Sequence, residues 1–350
     1  MKIAVFGCSN GLGHVRRIIA ISCQLFRLGF KGEITAYLPK SHIQHMKMWP
    51  ECKLFLNNNN IKIIDFCYPS LPQAKTDAIY DKSWDEISIP ELSKYDLVWS
   101  DNITQIIAAR EDAILTGTFL WYDVFSRYSQ NKKIDKFILE QRDIVRSVNP
   151  TMISNDYFAT PEVKKYTKYH PVGLYRYDSK DLVKIKKTNN LDRDILFACG
   201  LGGEEEDITR DALVKVIDKF DKMNFTLWVE PRILPKKYPE WIKKANFSSD
   251  LYRLCKAAIV RPGIGTISDV LAHSGRPFTF YNNKNYEMSH NASVLIKTEL
   301  GESCNDPFSA FERSLQYIKD DQKIADQHRL CSSLSMEGVS ETAKAILKRT

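Results

Sequence analysis

The chain has 350 residues, 43% of them hydrophobic, enough apolar content to bury two cores of ordinary size, so two domains are expected. The formal net charge is +7, but the basic clusters (Lys132-Lys133, Lys164-Lys165, Lys184 to Lys187, Lys236-Lys237, Lys243-Lys244) are dispersed. They favour solvated faces and contact with an anionic substrate or the inner face of a membrane over nucleic-acid binding, for which no recognition module is visible.

The 8 cysteines show no C-x-x-C pair and no metal-ligand spacing, which predicts reduced, buried thiols and no structural metal. No stretch is long and apolar enough to span a bilayer, and the first residues lack a signal-peptide plan, so a cytoplasmic protein is expected.

In chain order, Lys2 to Phe6 reads as a buried parallel strand. It enters the turn Gly7-Cys8-Ser9-Asn10-Gly11-Leu12-Gly13-His14, after which Ile18, Ile19, Ile21, Leu25 and Leu28 recur at helical spacing up to Gly29. Further strands are expected over Glu33 to Tyr37, Ile61 to Phe66, Asp96 to Asp101, Ala113 to Leu120 and Met152 to Ser154, with a long loop over Tyr68 to Pro90. The pattern breaks around Tyr169 to Gly173, and the polar stretch Tyr177 to Arg193 reads as a linker.

A second alternation starts with strand Asp194 to Ala198 and the loop Cys199-Gly200-Leu201-Gly202-Gly203. A helix carrying Ile208, Ala212, Val216 and Phe220 follows, then strands over Phe225 to Val229, Ala257 to Val260 and Pro277 to Tyr281, and a last helix over Glu341 to Leu347. The fold class is therefore α/β, with two doubly wound Rossmann-like domains. One is expected over 1–173 and the other over 174–339, with the terminal helix 340–350 packing back on the first.

Two turns carry the chemistry. In Arg261-Pro262-Gly263-Ile264-Gly265-Thr266-Ile267-Ser268-Asp269 a buried strand runs into a helix through two glycines. The glycines admit a ligand close to the backbone, and the helix's unpaired N–H groups favour an anion such as a diphosphate. Asp269 lies further along the helix, where a sugar hydroxyl attached to that diphosphate would fall. The N-terminal turn is a second phosphate-type loop, but its spacing is not the dinucleotide fingerprint and no acidic residue clearly ends a second strand, which disfavours a dehydrogenase.

These residues resemble nucleotide-sugar glycosyltransferases of the two-Rossmann (GT-B) fold, nearest in style to MurG-like transferases. Gly11-Leu12-Gly13-His14 looks like that family's N-terminal glycine loop. Pro171-Val172-Gly173 looks like its interdomain joint, and Arg261 to Asp269 followed by Glu287-Met288-Ser289-His290-Asn291-Ala292 looks like its donor-site signature.

The resemblance implies that Gly263, Gly265 and Thr266 hold the donor diphosphate, that Asp269 accepts from the ribose hydroxyls, and that Glu287 lies near the transferred sugar. Asn291 and Ala292 would begin the following helix. Gly11 and Gly13 would form the first glycine loop, Gly200, Gly202 and Gly203 a second loop beside the diphosphate, and Arg176 and Arg261 would be phosphate-side cations. The favoured donor is a UDP-sugar, with transfer to an unidentified acceptor hydroxyl in cell-envelope glycan chemistry, between the two domains, inverting and without a metal or other cofactor.

Catalysis then consists of stabilising the leaving diphosphate and removing the acceptor's proton. His14 is the expected base. The alternatives are a nucleotide-sugar hydrolase or epimerase on the same fold, or a non-catalytic nucleotide-sugar-binding subunit, the latter kept open by Met288 and Leu201 where relatives carry polar residues. Asp101 and Asn102 read equally as acceptor-side residues or as a strand-end cap. Trp121 is expected in the core, while Ser9 lacks a nucleophile elbow and Arg232 reads as either a phosphate contact or a solvent-facing side chain.

Overall fold

A computed structural model describes residues 1–47, 49–68, 87–128, 135–177, 193–200, 203–220, 222–281 and 285–349. The chain divides into two compact units, Met1–Tyr177 with Ser335–Thr350, and Asp178–Leu334.

The first unit is built on seven parallel strands: β1 (Lys2–Gly7), β2 (Glu33–Leu38), β3 (Ile61–Asp65), β4 (Leu97–Asp101), β5 (Ile114–Thr116), β6 (Thr151–Asn155) and β7 (Lys168–Val172). Their spatial order is β3-β2-β1-β4-β5-β6-β7. The strand order reverses between β1 and β4, and the crevice at the carboxyl ends of such a pair is where doubly wound sheets bind ligands. β1 and β4 are apolar and buried almost throughout, as a strand covered on both faces must be.

Helix Leu12–Arg27 follows β1 and buries Val15, Ile18, Ile19, Ile21 and Leu25 against the sheet. Each such side chain contributes roughly 1.5–3 kcal/mol of burial. The terminal helix Gly338–Leu347 places Ala343 and Ile346 in the same core. The segment after β7 is tied to this helix by the Gly173 N–H, which donates to Glu341 Oε2 at 2.7 Å, and to the chain just before it by the Leu174 N–H, which donates to the Ser335 carbonyl at 2.8 Å.

The second unit has six parallel strands: β8 (Asp194–Phe197), β9 (Leu227–Val229), β10 (Ile242–Lys244), β11 (Cys255–Val260), β12 (Arg276–Thr279) and β13 (Glu302–Ser303), in the order β10-β9-β8-β11-β12-β13. The reversal here falls between β8 and β11.

Three differences from the sequence reading have local causes. Ala113 to Leu120 yields only the short β5, because Gly117 adopts φ 142 and turns the chain out of the sheet. Tyr169 to Gly173 was expected to break the pattern, yet 168–172 forms edge strand β7, exposed along most of its length and therefore without the apolar run that marks a buried strand. Strands β10 and β13 are three and two residues long, too short to show alternation. Among the described residues no helix is long and apolar enough to cross a membrane. Seven of the 8 cysteines are buried and Cys67 is exposed; all are free.

Candidate active site

Gly11 is the N-cap of helix Leu12–Arg27 and adopts φ 104, a left-handed value that glycine tolerates, so the chain turns directly from β1 into the helix. His14 thereby falls in the first helical turn, 8% exposed, at the end of the sheet's central strands. Asp101 is the last residue of β4, in register with Gly7 of β1, and is fully buried.

The two side chains meet. His14 Nδ1 lies 2.7 Å from Asp101 Oδ1. With Asp101 ionised, Nδ1–H donates to the carboxylate, and the lone pair is left on Nε2.

The far side of the carboxylate is held by donors. Thr116 Oγ1 donates to Asp101 Oδ2 at 3.1 Å and itself accepts from Trp99 Nε1 at 2.9 Å. Arg17, 4% exposed, brings Nε to 3.5 Å from the same oxygen. Burial is the largest single influence and opposes the Arg17 charge, but the Asp101 carboxylate together with Tyr177 and Tyr175 outweighs it and holds the guanidinium above its ordinary value.

The His14 ring is flanked by Phe119 and Trp121, at centroid distances of 6.4 and 6.2 Å. Burial first, then His14 and His45, lower the neighbouring His42 below the usual imidazole range. Gly11 and Gly13 border open space, since a Cβ on either would meet nothing within 4 Å.

In the second unit, β11 leads through Arg261 and Pro262 to Gly263, the N-cap of helix Ile264–Ala272, and no side chain caps that helix. Its N-terminus therefore retains unsatisfied N–H groups and the positive end of the dipole. A Cβ on Gly263 or Gly265 would meet nothing within 4 Å, so the backbone is approachable there. Thr266 and Asp269 are three residues apart and share a helix face, with Asp269 8% exposed.

Helix Tyr286–Lys297 is fastened to this turn by Asn291, whose Nδ2 donates to the Pro262 carbonyl at 2.8 Å. Asn291 does not begin its helix, as the sequence suggested. Asn285 is the N-cap, its side chain accepting from the Met288 N–H, so Glu287 and Met288 form the first turn and Asn291 lies inside the helix.

The Gly200 loop is arranged differently from the expectation. Gly200 takes φ 69, and its N–H and that of Cys199 both donate to Glu230 Oε2 at 3.0 Å. Arg232 Nε in turn donates to Glu230 Oε1 at 2.7 Å and its Nη2 to the Gly200 carbonyl at 2.6 Å, so Arg232 closes the loop. Two N–H groups of the loop, those of Cys199 and Gly200, are thus satisfied by a protein carboxylate.

Arg261 Nε lies 3.5 Å from Glu205, which together with Glu206 belongs to the first turn of helix Gly203–Lys219. Leu201 and Gly202 lie outside the described residues. Arg176 is half-buried and belongs to the first unit. Among the described residues no group of three or more His, Cys, Asp or Glu side chains is placed to hold a metal ion.

Comparison with known proteins bears on this arrangement. No protein-family profile matches the chain. A protein of Methanosarcina mazei described as an uncharacterized glycosyltransferase is 22% identical over 383 aligned positions, covering 96% of this chain and 95% of that protein. Among solved structures, the glycotransferase of kitacinnamycin superposes with a TM-score of 0.67 at 12% identity, covering 99% of this chain and 98% of that one. Arabidopsis thaliana UGT89C1 complexed with UDP-L-rhamnose superposes with a TM-score of 0.62 at 11% identity, covering 99% and 97%.

The chain has the GT-B fold.

Within this GT-B chain, sequence reasoning singled out His14 and the 261–269 turn, read Asp101 as an acceptor-side residue or a strand-end cap without a link to His14, and did not name Arg17. His14 and Asp101 are 87 residues apart, and nothing local links them. The available signal was that Asp101 ends an apolar strand pairing with β1, where the switch-point rule places functional groups.

Proposed function

We propose that this chain is a glycosyltransferase that moves a sugar from a nucleotide-diphosphate donor to an acceptor hydroxyl. The observation that carries the reading is the hydrogen bond from His14 to the buried Asp101 at the β1/β4 switch point. It fixes one tautomer and turns a basic Nε2 away from the carboxylate, which is what general-base removal of a hydroxyl proton requires.

In the reaction, Nε2 takes the acceptor's proton as the acceptor oxygen bonds to the anomeric carbon. The bond from that carbon to the diphosphate breaks, and the electron pair leaves with the nucleoside diphosphate. A single displacement of this kind inverts the anomeric centre. The growing negative charge is met by the uncapped N-terminus of helix Ile264–Ala272, with Gly263, Gly265 and Thr266 against the phosphates and Arg261 nearby. These groups neutralise it without calling on a metal ion.

Asp269 accepts from the ribose hydroxyls, and Glu287, in the first turn of helix Tyr286–Lys297, serves the transferred sugar. Asn291 acts from behind by holding the Pro262 carbonyl. With its N–H given to Glu230, Gly200 serves the donor through loop shape and not through that donor group.

The finer assignments are a UDP-sugar donor, a hexosyl group and a MurG-like role at the cytoplasmic face in cell-envelope glycan chemistry. The donor assignment has the support of a neighbour complexed with UDP-L-rhamnose. The MurG-like one rests on the motifs alone, and the structural neighbours named above are of antibiotic and plant origin.

A thermal-shift screen against UDP, TDP, GDP, CDP and their sugar conjugates tests the reading. One nucleotide should raise the melting temperature, because ligand bound only to the native state stabilises it. A chain indifferent to all of them refutes the donor assignment.

A further inference from the structure

Asp101 engages two side chains, and the proposed reaction uses only one of them. His14 engages Oδ1, while Arg17, one helical turn further along Leu12–Arg27, faces Oδ2 with Nε at 3.5 Å. Arg17 has almost no access to solvent, and its guanidinium carbon lies 5.3 Å from the ring centroid of the buried Tyr175. A guanidinium placed so deeply has given up its hydration, which a packing role alone would not demand, because an apolar side chain would fill the volume at lower cost.

We propose that Arg17 is a positioning residue that keeps His14 in its neutral, proton-accepting form by neutralising the Asp101 carboxylate. The inference rests on His14 being the base.

The charges give the direction. With Arg17 present, Asp101 and a neutral His14 form a set of net charge zero, and protonating His14 leaves one uncompensated positive charge in a buried site. Without Arg17, the same set with neutral His14 carries one negative charge, and protonation of His14 removes it. Loss of Arg17 therefore favours the imidazolium, in which Nε2 already holds a proton and accepts none.

The bond from Nδ1 to Asp101 orients the ring in both cases. Arg17 thus separates two tasks that a lone carboxylate would couple, orienting the imidazole and raising its basicity.

The other titratable groups facing this set are His42 beside His14, Cys8 close enough to feel the Asp101 charge, and Tyr175 and Tyr177 around Arg17. Burial raises the Cys8 thiol to about 12 and the Tyr175 hydroxyl to about 12, so both stay neutral across the working range. Burial is the largest influence on His42 and holds it low, so it adds little positive charge near neutrality. Arg17 is then the compensating charge that matters.

The test follows the pH midpoint of the His14 ring signal by NMR on ring-labelled protein, assigned by its loss in His14→Gln, in wild type, Arg17→Met and Arg17→Lys. Arg17→Met should move the midpoint to higher pH by about one unit, the scale of a full charge acting over one helical turn in a partly screened site. Arg17→Lys keeps the charge and should leave it within a few tenths of wild type.

An unmoved or lowered midpoint in Arg17→Met overturns the inference, as does a shift in Arg17→Lys as large as in Arg17→Met. If Arg17→Met does not fold, Arg17→Gln takes its place and the lysine comparison stands unchanged. The NMR readout needs no substrate. A shifted midpoint in a protein without transferase activity would sink the proposed function and keep the electrostatic inference, whereas an active enzyme with unmoved midpoints would do the reverse. In an active enzyme, the acid limb of kcat/KM should follow the NMR midpoints variant by variant.

Discussion

Replacing Asp101 with Asn removes one charge and keeps the shape, and its consequences can be worked from the partners of each oxygen. Oδ2 faces Thr116 Oγ1 at 3.1 Å and Arg17 Nε at 3.5 Å, and an arginine can only donate. The amide oxygen of Asp101→Asn must therefore turn to that side, placing its NH2 group against His14 Nδ1, 2.7 Å away in the native pair.

An NH2 group there can only donate, so Nδ1 becomes the acceptor and the ring proton moves to Nε2. The imidazole keeps its place and loses its outward lone pair. The wrong tautomer forfeits the general-base contribution, about 10²–10⁴-fold in kcat. The buried Arg17 also loses its counter-ion, and breaking a pair buried this deeply costs roughly 3–5 kcal/mol.

For a unit of this size that stability loss lowers the melting temperature by about 6–20 °C. The assay is turnover of donor and acceptor at a temperature where circular dichroism reports the variant fully folded, with nucleotide affinity measured in parallel. Affinity should be unchanged, because the residues proposed to hold the donor belong to the other unit. An Asp101→Asn protein that retains a third or more of wild-type turnover refutes the tautomer argument.

Other perturbations separate the remaining roles. Gly265→Ala should weaken nucleotide binding at least tenfold, because its Cβ projects into space that the protein leaves open, while stability stays level or rises by up to about 1 kcal/mol from better helix propensity; calorimetric titration and a urea melt check both halves. Asp269→Ala should cost about 10- to 100-fold in nucleotide affinity, the scale of a hydrogen bond to a charged acceptor, and unchanged affinity would remove Asp269 from the donor site.

Asn291→Ala should weaken donor binding modestly and lower the melting temperature by a few degrees, since the Pro262 carbonyl loses its buried donor. Asp123 gives a pH prediction: burial raises its carboxyl above the usual range despite Arg127, so the folded state binds the proton more tightly than the unfolded chain does. Stability therefore falls as pH rises from the ordinary carboxylate value through the raised one. Urea melts should show wild type losing stability relative to Asp123→Asn across that window, and a constant difference would contradict the assignment.

The legible parts of this molecule are those whose signal is local. The apolar runs of β1, β4, β8 and β11 are strands buried on both faces and read directly from the sequence, as does helix Leu12–Arg27 from the spacing of Ile18, Ile21 and Leu25. The short edge strands β10 and β13 and the exposed β7 carry no such pattern, because sheet edges are set by their neighbours and not by burial on two faces.

The same division runs through the candidate site. Gly263 and Gly265 announce an approachable helix entrance through their own chemistry. The pairing of His14 with Asp101, the burial of Arg17 behind it and the capture of the Gly200 N–H by Glu230 are products of strand order, and they join residues 87, 84 and 30 positions apart in the chain. The start of helix Tyr286–Lys297 differs from the one the resemblance implied at Asn291: the Asn285 side chain accepts from the Met288 N–H and starts the helix earlier.

The measurement that bears most directly on the account is the release of nucleoside diphosphate from nucleotide sugars by wild type and His14→Ala, first in water and then with a panel of sugar and phenolic hydroxyl acceptors. Wild type should release nucleoside diphosphate slowly from one nucleotide sugar in water, much faster with an accepted hydroxyl, and with inversion at the anomeric carbon of the product. His14→Ala should bind the nucleotide as tightly as wild type and turn over at least about 100-fold more slowly. Equal turnover by His14→Ala, or tight nucleotide binding with no release from any donor, would contradict the proposed function.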